Sequence, residues 1–298
     1  MKNMPETNTT IPVPKLNRRL AAIKVTGADR LTLLQGQLTQ DMNELAPDKP
    51  LLAGWTTPKG RLICLCWLLD WDNAVWLLVP AELRDRISQR LKMYVLRADV
   101  QVENSELPVE PADLNSLSDL SELNNKSDIS SIGDCFYNDS LFFLKQAGLI
   151  VGGVTSPVET ASWRLANIRA GLPSIWPETY ELFIPQMLNL DLLGVISFSK
   201  GCYVGQEIIA RTQNLGRIKR RMYRFRTTTG GYILPGDPVF ADDGTTAGTV
   251  VDAIATETSS ELLAVIRIEM LPHALSLGED GSLVLSPETL PYNVPETI

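Results

Sequence analysis

The sequence predicts an α+β fold that ends in an antiparallel sheet or barrel. Two observations carry this. Apolar runs of strand length alternate with helix-length stripes over the first hundred residues, and from residue 222 onward short apolar runs are separated by TTGG, PGD, DDG and GEDG. Hydrophobic residues make up 44% and charged residues 21%, the balance of a chain that buries a core. A formal charge of −8 argues against broad nonspecific binding to nucleic acid.

The opening MKNMPETNTTIPVPK is polar and proline-rich and reads as a flexible segment over 1–17, with no secretory signal. No stretch approaches the roughly 20 apolar residues that span a bilayer. Cytoplasmic residence, a monomer and four cysteines kept as thiols are the matching expectations.

An N-terminal α+β lobe is expected over 18–102. LAAIKVTG (20–27) is its first strand, with Ile23 and Val25 on one face. Asp29 is placed to cap a helix through DRLTLLQGQLTQDM, where Leu31, Leu34 and Leu38 form one stripe that Gly36 interrupts. LLAGWTTPKGRLICLCWLLD reads as two strands around a turn at Pro58 and Gly60, AVWLLVP as a third. AELRDRISQRLKMYVL sets Leu83, Ile87 and Leu91 one helical turn apart. Residues 103–157 are a reduced, polar middle segment, either a flexible excursion or loops between short strands. A central lobe over 158–222 and a barrel over 223–298 complete the chain.

The most informative stretch is KGCYVGQEIIAR. Gly201 and Gly205 bracket Cys202 and Tyr203, permitting backbone approaches that side chains resist. Gln206 and Glu207 begin a helix, whose amide dipoles favour a thiolate at its start. Lys200 and Arg211 add positive potential. Cys202 is open to three readings: packing, ligand contact and reaction.

Cys64 and Cys66 alternate on one strand and share a face. With Cys135 and the single histidine, His273, they do not assemble the four ligands that zinc requires, so core packing is expected and no metal. The dinucleotide and P-loop fingerprints are absent, and His273 beside Pro272 supports no Ser-His-Asp triad. The basic run Arg211, Arg217, Lys219, Arg220, Arg221, Arg224 and Arg226 suits a small anionic ligand, or a solvated domain edge.

Taken together, LQGQLTQD, PKGR, NIRAGLP and FIPQMLNLDLLGVISFSKGCYVGQEIIAR resemble the folate-binding YgfZ family, related in fold to the glycine-cleavage aminomethyltransferase. The resemblance covers about 18–100 and 158–298. It implies a three-lobed, aminomethyltransferase-like arrangement, with tetrahydrofolate or a related reduced folate between the first two lobes. It also implies a role in maturing or repairing iron-sulfur enzymes and, through them, an indirect part in tRNA modification.

Carried over by motif, Cys202 is the key thiol and the candidate catalytic residue. Trp163, Lys200, Gly201, Tyr203, Gly205, Gln206, Glu207 and Arg211 are the expected folate-binding set. Two positions depart from the family. Leu20 stands where an aromatic can precede the first strand, and GRLICLC offers Cys64 and Leu65 where aminomethyltransferases have an acidic residue. Without that carboxylate the full aminomethyltransferase mechanism does not carry over. An auxiliary folate-binding protein is therefore expected. The alternatives are a folate-dependent one-carbon transferase and a noncatalytic protein- or tRNA-interaction module.

Overall fold

A computed structural model of the 298-residue chain describes residues 18–111, 130–132, 135–137, 142–144, 149–151 and 160–295, apart from 215–216, 229–230, 257 and 279–280. The expected flexible segment 1–17 and much of the polar middle lie outside the described residues.

Ten strands form one sheet: β1 (Leu20–Thr26), β2 (Leu51–Thr56), β3 (Leu62–Trp71), β4 (Ala74–Pro80), β5 (Gln101–Asn104), β6 (Val109–Pro111), β7 (Ser130–Ile132), β8 (Cys135–Tyr137), β9 (Phe142–Leu144) and β10 (Leu149–Val151). Their order is β2-β3-β4-β1-β6-β10-β9-β8-β7, with β5 also pairing β1. Within the middle segment the described pieces are short strands that extend the sheet of the first lobe. The β3–β4 hairpin turns on Asp72 and Asn73, both at positive φ (53° and 51°), a conformation that asparagine and aspartate tolerate.

Strand alternation gives this sheet two faces. Ile23, Val25, Cys66, Leu68, Val75 and Leu77 point into the main core, which also holds Leu83, Ile87 and Leu91 of helix α2 (Arg84–Lys92) and its entry. Ala22, Leu69, Trp71, Trp76 and Leu78 face the other way into a second cluster, where Trp71 and Trp76 pack with ring centroids 5.0 Å apart. Cys64 and Cys66 are both core residues, and the Cys66 thiol donates to the Ala53 carbonyl at 3.6 Å.

Helix α1 is shorter than its sequence pattern. It runs only Arg30–Gln35, and Leu31 is exposed while Leu34 and Leu38 are buried. The chain leaves the helix at Gly36 because long-range bonds take over there. The Leu38 backbone bridges Trp55, and Thr39 exchanges backbone bonds with Gly54 and Ser197.

After helix α3 (Thr160–Ala170) comes a loop-rich stretch, then helix α4 (Gln206–Asn214). A closed six-strand antiparallel barrel follows: β11 (Arg220–Thr227), β12 (Pro238–Ala241), β13 (Thr246–Ala255), β14 (Ser260–Arg267), β15 (Leu275–Leu277) and β16 (Leu283–Glu288). Its order is β11-β14-β13-β12-β15-β16. Phe225, Val239, Val250, Leu262, Ile266 and Leu285 fill a third core.

Ion pairs join the barrel to the rest. Arg164 of α3 bonds Asp252 and the Ala253 carbonyl, with both charged side chains almost wholly buried. Arg221 clamps Asp191 at 2.6 and 2.8 Å and donates to the Gln186 carbonyl. Glu261 accepts from Arg169 of α3 at 2.6 Å and from Arg224 at 2.8 Å.

The Arg169 hydrogen bond, aided by Arg224 against the opposing effect of burial, holds the Glu261 carboxyl below its ordinary 4.5. A depressed carboxylate contributes stability that is present above the unfolded value and lost as pH falls through the folded one. Glu261→Gln is therefore expected to lower stability at pH 7 by about 1.5–3 kcal/mol. In urea unfolding, the gap between wild type and variant should close as the pH drops below 4.5. A gap that stays constant with pH would contradict this role.

Candidate functional site

Three sequence motifs far apart in the chain meet at one junction. The turn of TTPKGR packs against VGQEII. A Cβ on Gly60 (φ +68°) would stand 3.0 Å from Ile208 Cβ. On Gly205 (φ +86°) it would meet the Thr57 carbonyl oxygen at 2.5 Å and Thr56 Oγ1 closer still. Thr56 Oγ1 donates to the Val204 carbonyl at 2.7 Å, and the Val204 amide donates to the Gly36 carbonyl at 3.1 Å. LQGQLTQ is the third partner: buried Thr39 donates through its hydroxyl to the Val195 carbonyl at 2.8 Å and accepts the Gly54 amide at 2.8 Å.

Lys200 is the pin of this junction. Its Nζ donates to the carbonyls of Gln35, Leu38 and Gln40 at 2.7, 2.9 and 2.7 Å. Three protons meet three acceptors, one of them on the last residue of α1, where unpaired helix carbonyls concentrate negative charge. The side chain is buried and lies 5.2 Å from the Tyr203 ring centroid. Burial lowers the ammonium to about 8, opposed by Asp41, while the carbonyl acceptors favour the charged form. The sequence points this lysine at an anion. In the structure its protons are spent on the protein.

Tyr203 inserts into the main core, and burial pushes its phenol up to about 12. Gly201 and Cys202 remain exposed, and a Cβ on Gly201 would meet nothing within 4 Å. Cys202 precedes the first residue of α4, Gln206, by more than a helical half-turn, so it stands on the loop before the helix rather than in its first turn. Gln206 is half-buried, Glu207 lies exposed in the first turn of α4, and Arg211 lies exposed in its last turn.

Trp163 is elsewhere. It is half-buried on α3 and packs with Leu20 and Trp67 against the second cluster, on the sheet face opposite the one that receives Tyr203. The expected site residues thus fall in two groups, KGCYVGQE with its turn and helix partners, and Trp163 with the Trp-rich face.

Beside the second group lies a buried assembly without a sequence signature. Arg18 and Arg164 approach the Trp176 ring at 4.6 and 5.5 Å, and Arg18 forks onto Glu178 at 2.9 and 3.1 Å. The Nε of each arginine and the Trp176 Nε1 are buried without a hydrogen-bond partner. Arg18 precedes Leu20 and Arg164 follows Trp163 directly, a proximity visible in the chain only once Trp163 has been singled out.

Of the basic run, Arg221 and Arg224 are consumed by Asp191 and Glu261, whereas Arg217, Lys219, Arg220 and Arg226 are exposed. Among the described residues no group of three His, Cys, Asp or Glu is placed to hold a metal ion, and no helix is long and apolar enough to cross a membrane. His273 pairs with Asp242 at 2.8 Å on the barrel surface.

No family model matches the chain. It is 27% identical over 300 residues to the tRNA-modifying protein YgfZ of Shigella sonnei, covering 93% of this chain and 92% of that one. It is 28% identical over 299 residues to the tRNA-modifying protein YgfZ of an Enterobacter species, with the same coverage. An uncharacterized protein of Haemophilus influenzae is 28% identical over 283 residues. In fold, the chain is similar to the glycine cleavage system aminomethyltransferase T of Bartonella henselae, with a TM-score of 0.65 over 92% of this chain and 84% of that one, at 14% identity.

Proposed function

Because the chain is a YgfZ/aminomethyltransferase-like protein in sequence and fold, we propose that it is a folate-binding auxiliary protein that supports iron-sulfur enzymes, and through them tRNA modification. The observation that carries this reading is that the Cys202 thiol is exposed on the loop whose neighbour Tyr203 packs into the main core, whereas Trp163 packs against the second cluster. A thiol presented to solvent on a clamped loop is available to a partner protein. A transferase would need it beside the cofactor.

The residues present fit a reduced folate. Trp163 and Trp67 are half-buried against the second cluster, as is Leu20, and leave aromatic surface of the kind on which a pterin packs. Arg18 and Arg164 are buried against Trp176 and spend their terminal nitrogens on Glu178, Asp252 and the Ala253 carbonyl, so they are not presented to such a ligand. When bound, a reduced folate supplies a carrier for one-carbon units. In this reading Trp163 holds the ring, and Leu20 contributes less contact than an aromatic there. Lys200, Gly201, Gly205 and the buried Tyr203 position the Cys202 loop. Gln206, Glu207 and Arg211 belong to the partner-facing helix.

The missing carboxylate in GRLICLC supports an auxiliary role, since Cys64 is buried in the core where the transfer chemistry would need an ionised group. The test is anaerobic incubation of wild type and Cys202→Ser with tetrahydrofolate and its one-carbon derivatives, following both bound ligand and turnover. Stoichiometric binding shared by both proteins, without turnover, is expected. Turnover that disappears in Cys202→Ser would replace this reading with a one-carbon transferase.

A further inference from the structure

The barrel carries a second candidate site, independent of the folate reading. A cavity of about 90 Å³ opens between the loop bearing Leu182, Phe183 and Met187 and the ends of β11, β13 and β14. It is too small for a folate, which needs a pocket on the order of 300 Å³ or more. It is also lined by neither Trp163 nor any residue of KGCYVGQE.

Its charge is unusual for a barrel end. Arg220 and Arg267 are directly opposed in the β11–β14 register, and both line the cavity. Like charges in this arrangement repel. The protein relieves only one of them. Arg267 donates to the Thr246 carbonyl and approaches the largely exposed Glu269 at 3.5 Å, yet its Nε is buried without a partner. Arg220 forms no ion pair among the described residues. Thr246 and Thr249 are also part of the lining, and no carboxylate is. Two arginines beside a small volume, with Leu182, Phe183 and Met187 as apolar neighbours, supply guanidinium donors for a tetrahedral oxyanion.

We infer that this cavity is a phosphate-binding site, taking either free phosphate or the terminal phosphate of a monoester. Arg220 is the principal ligand because its charge is not otherwise spent. Arg267, anchored by Thr246, fixes the second donor.

The test is calorimetric titration with sodium phosphate at constant ionic strength, on wild type and on Arg220→Gln, a substitution of an exposed residue. Saturable phosphate binding, weakened about tenfold or more in Arg220→Gln, is expected. Adenosine 5′-monophosphate and adenosine form the second arm. Monophosphate binding tighter than phosphate identifies a monoester source, and equal affinity identifies free phosphate. Absence of saturable phosphate binding, equal binding by Arg220→Gln, or equal binding of adenosine would overturn the inference.

Discussion

Gly205→Ala is expected to destabilise the protein by about 3 kcal/mol or more and to disorder the Cys202 loop. Two costs combine. An L side chain at φ +86° is strained, and the added carbon would sit 2.5 Å from the Thr57 carbonyl oxygen and closer to Thr56 Oγ1. The first obstacle is backbone within the β2–β3 turn, which cannot rotate aside. Relief would require the turn and the loop to separate, breaking the Thr56–Val204 bond. Gly201→Ala is the matched control. Gly201 has no positive φ, and its Cβ would enter open space, so its effect should stay within about 0.5 kcal/mol. Urea unfolding of the two variants distinguishes a junction held by Gly205 alone from a loop that needs both glycines.

Lys200→Met should cost about 3–5 kcal/mol, because it strips a charged donor from three carbonyls at once and leaves them short of partners in a buried site. Lys200→Arg should rescue little. A planar guanidinium fork does not reproduce three donors radiating from one nitrogen. Amide hydrogen exchange gives a local readout. The Val204 amide, which donates to the Gly36 carbonyl, should lose protection in Lys200→Met well before amides of the barrel core. Unchanged protection there would show that Lys200 does not hold the junction.

These effects bear on what the sequence made legible. Strands β1 to β4 and the barrel are written in alternation and turn glycines, and α2 in the spacing of Leu83, Ile87 and Leu91, because those signals are local. Helix α1 was harder to read. Its apolar stripe continues through Leu38, but Thr39 and Gln40 are held by residues more than 150 positions away, and that competition has no local trace. The basic run shows the same limit. Asp191 and Glu261, which neutralise Arg221 and Arg224, lie 30 and 37 residues from them, so a continuous patch in sequence becomes two structural pairs and a smaller exposed set.

The candidate site divided along similar lines. The glycines of KGCYVGQE announced a demanding backbone, and Gly205 has one; Gly201 does not. Trp163 reads as an aromatic beside the motif lobe, yet strand parity in β1, β3 and β4 assigns its neighbours to the opposite sheet face. Trp176 with its flanking arginines left no motif, since cation and ring come from elements that only the fold brings together.

The most direct measurement is an anaerobic calorimetric titration of tetrahydrofolate into wild type, Trp163→Ala and Cys202→Ala. Saturable binding to wild type is expected, with an affinity lowered about tenfold or more by Trp163→Ala, where a stacking ring is lost, and little change in Cys202→Ala. Folded wild-type protein that binds no reduced folate, or binding lost in Cys202→Ala and kept in Trp163→Ala, would contradict it.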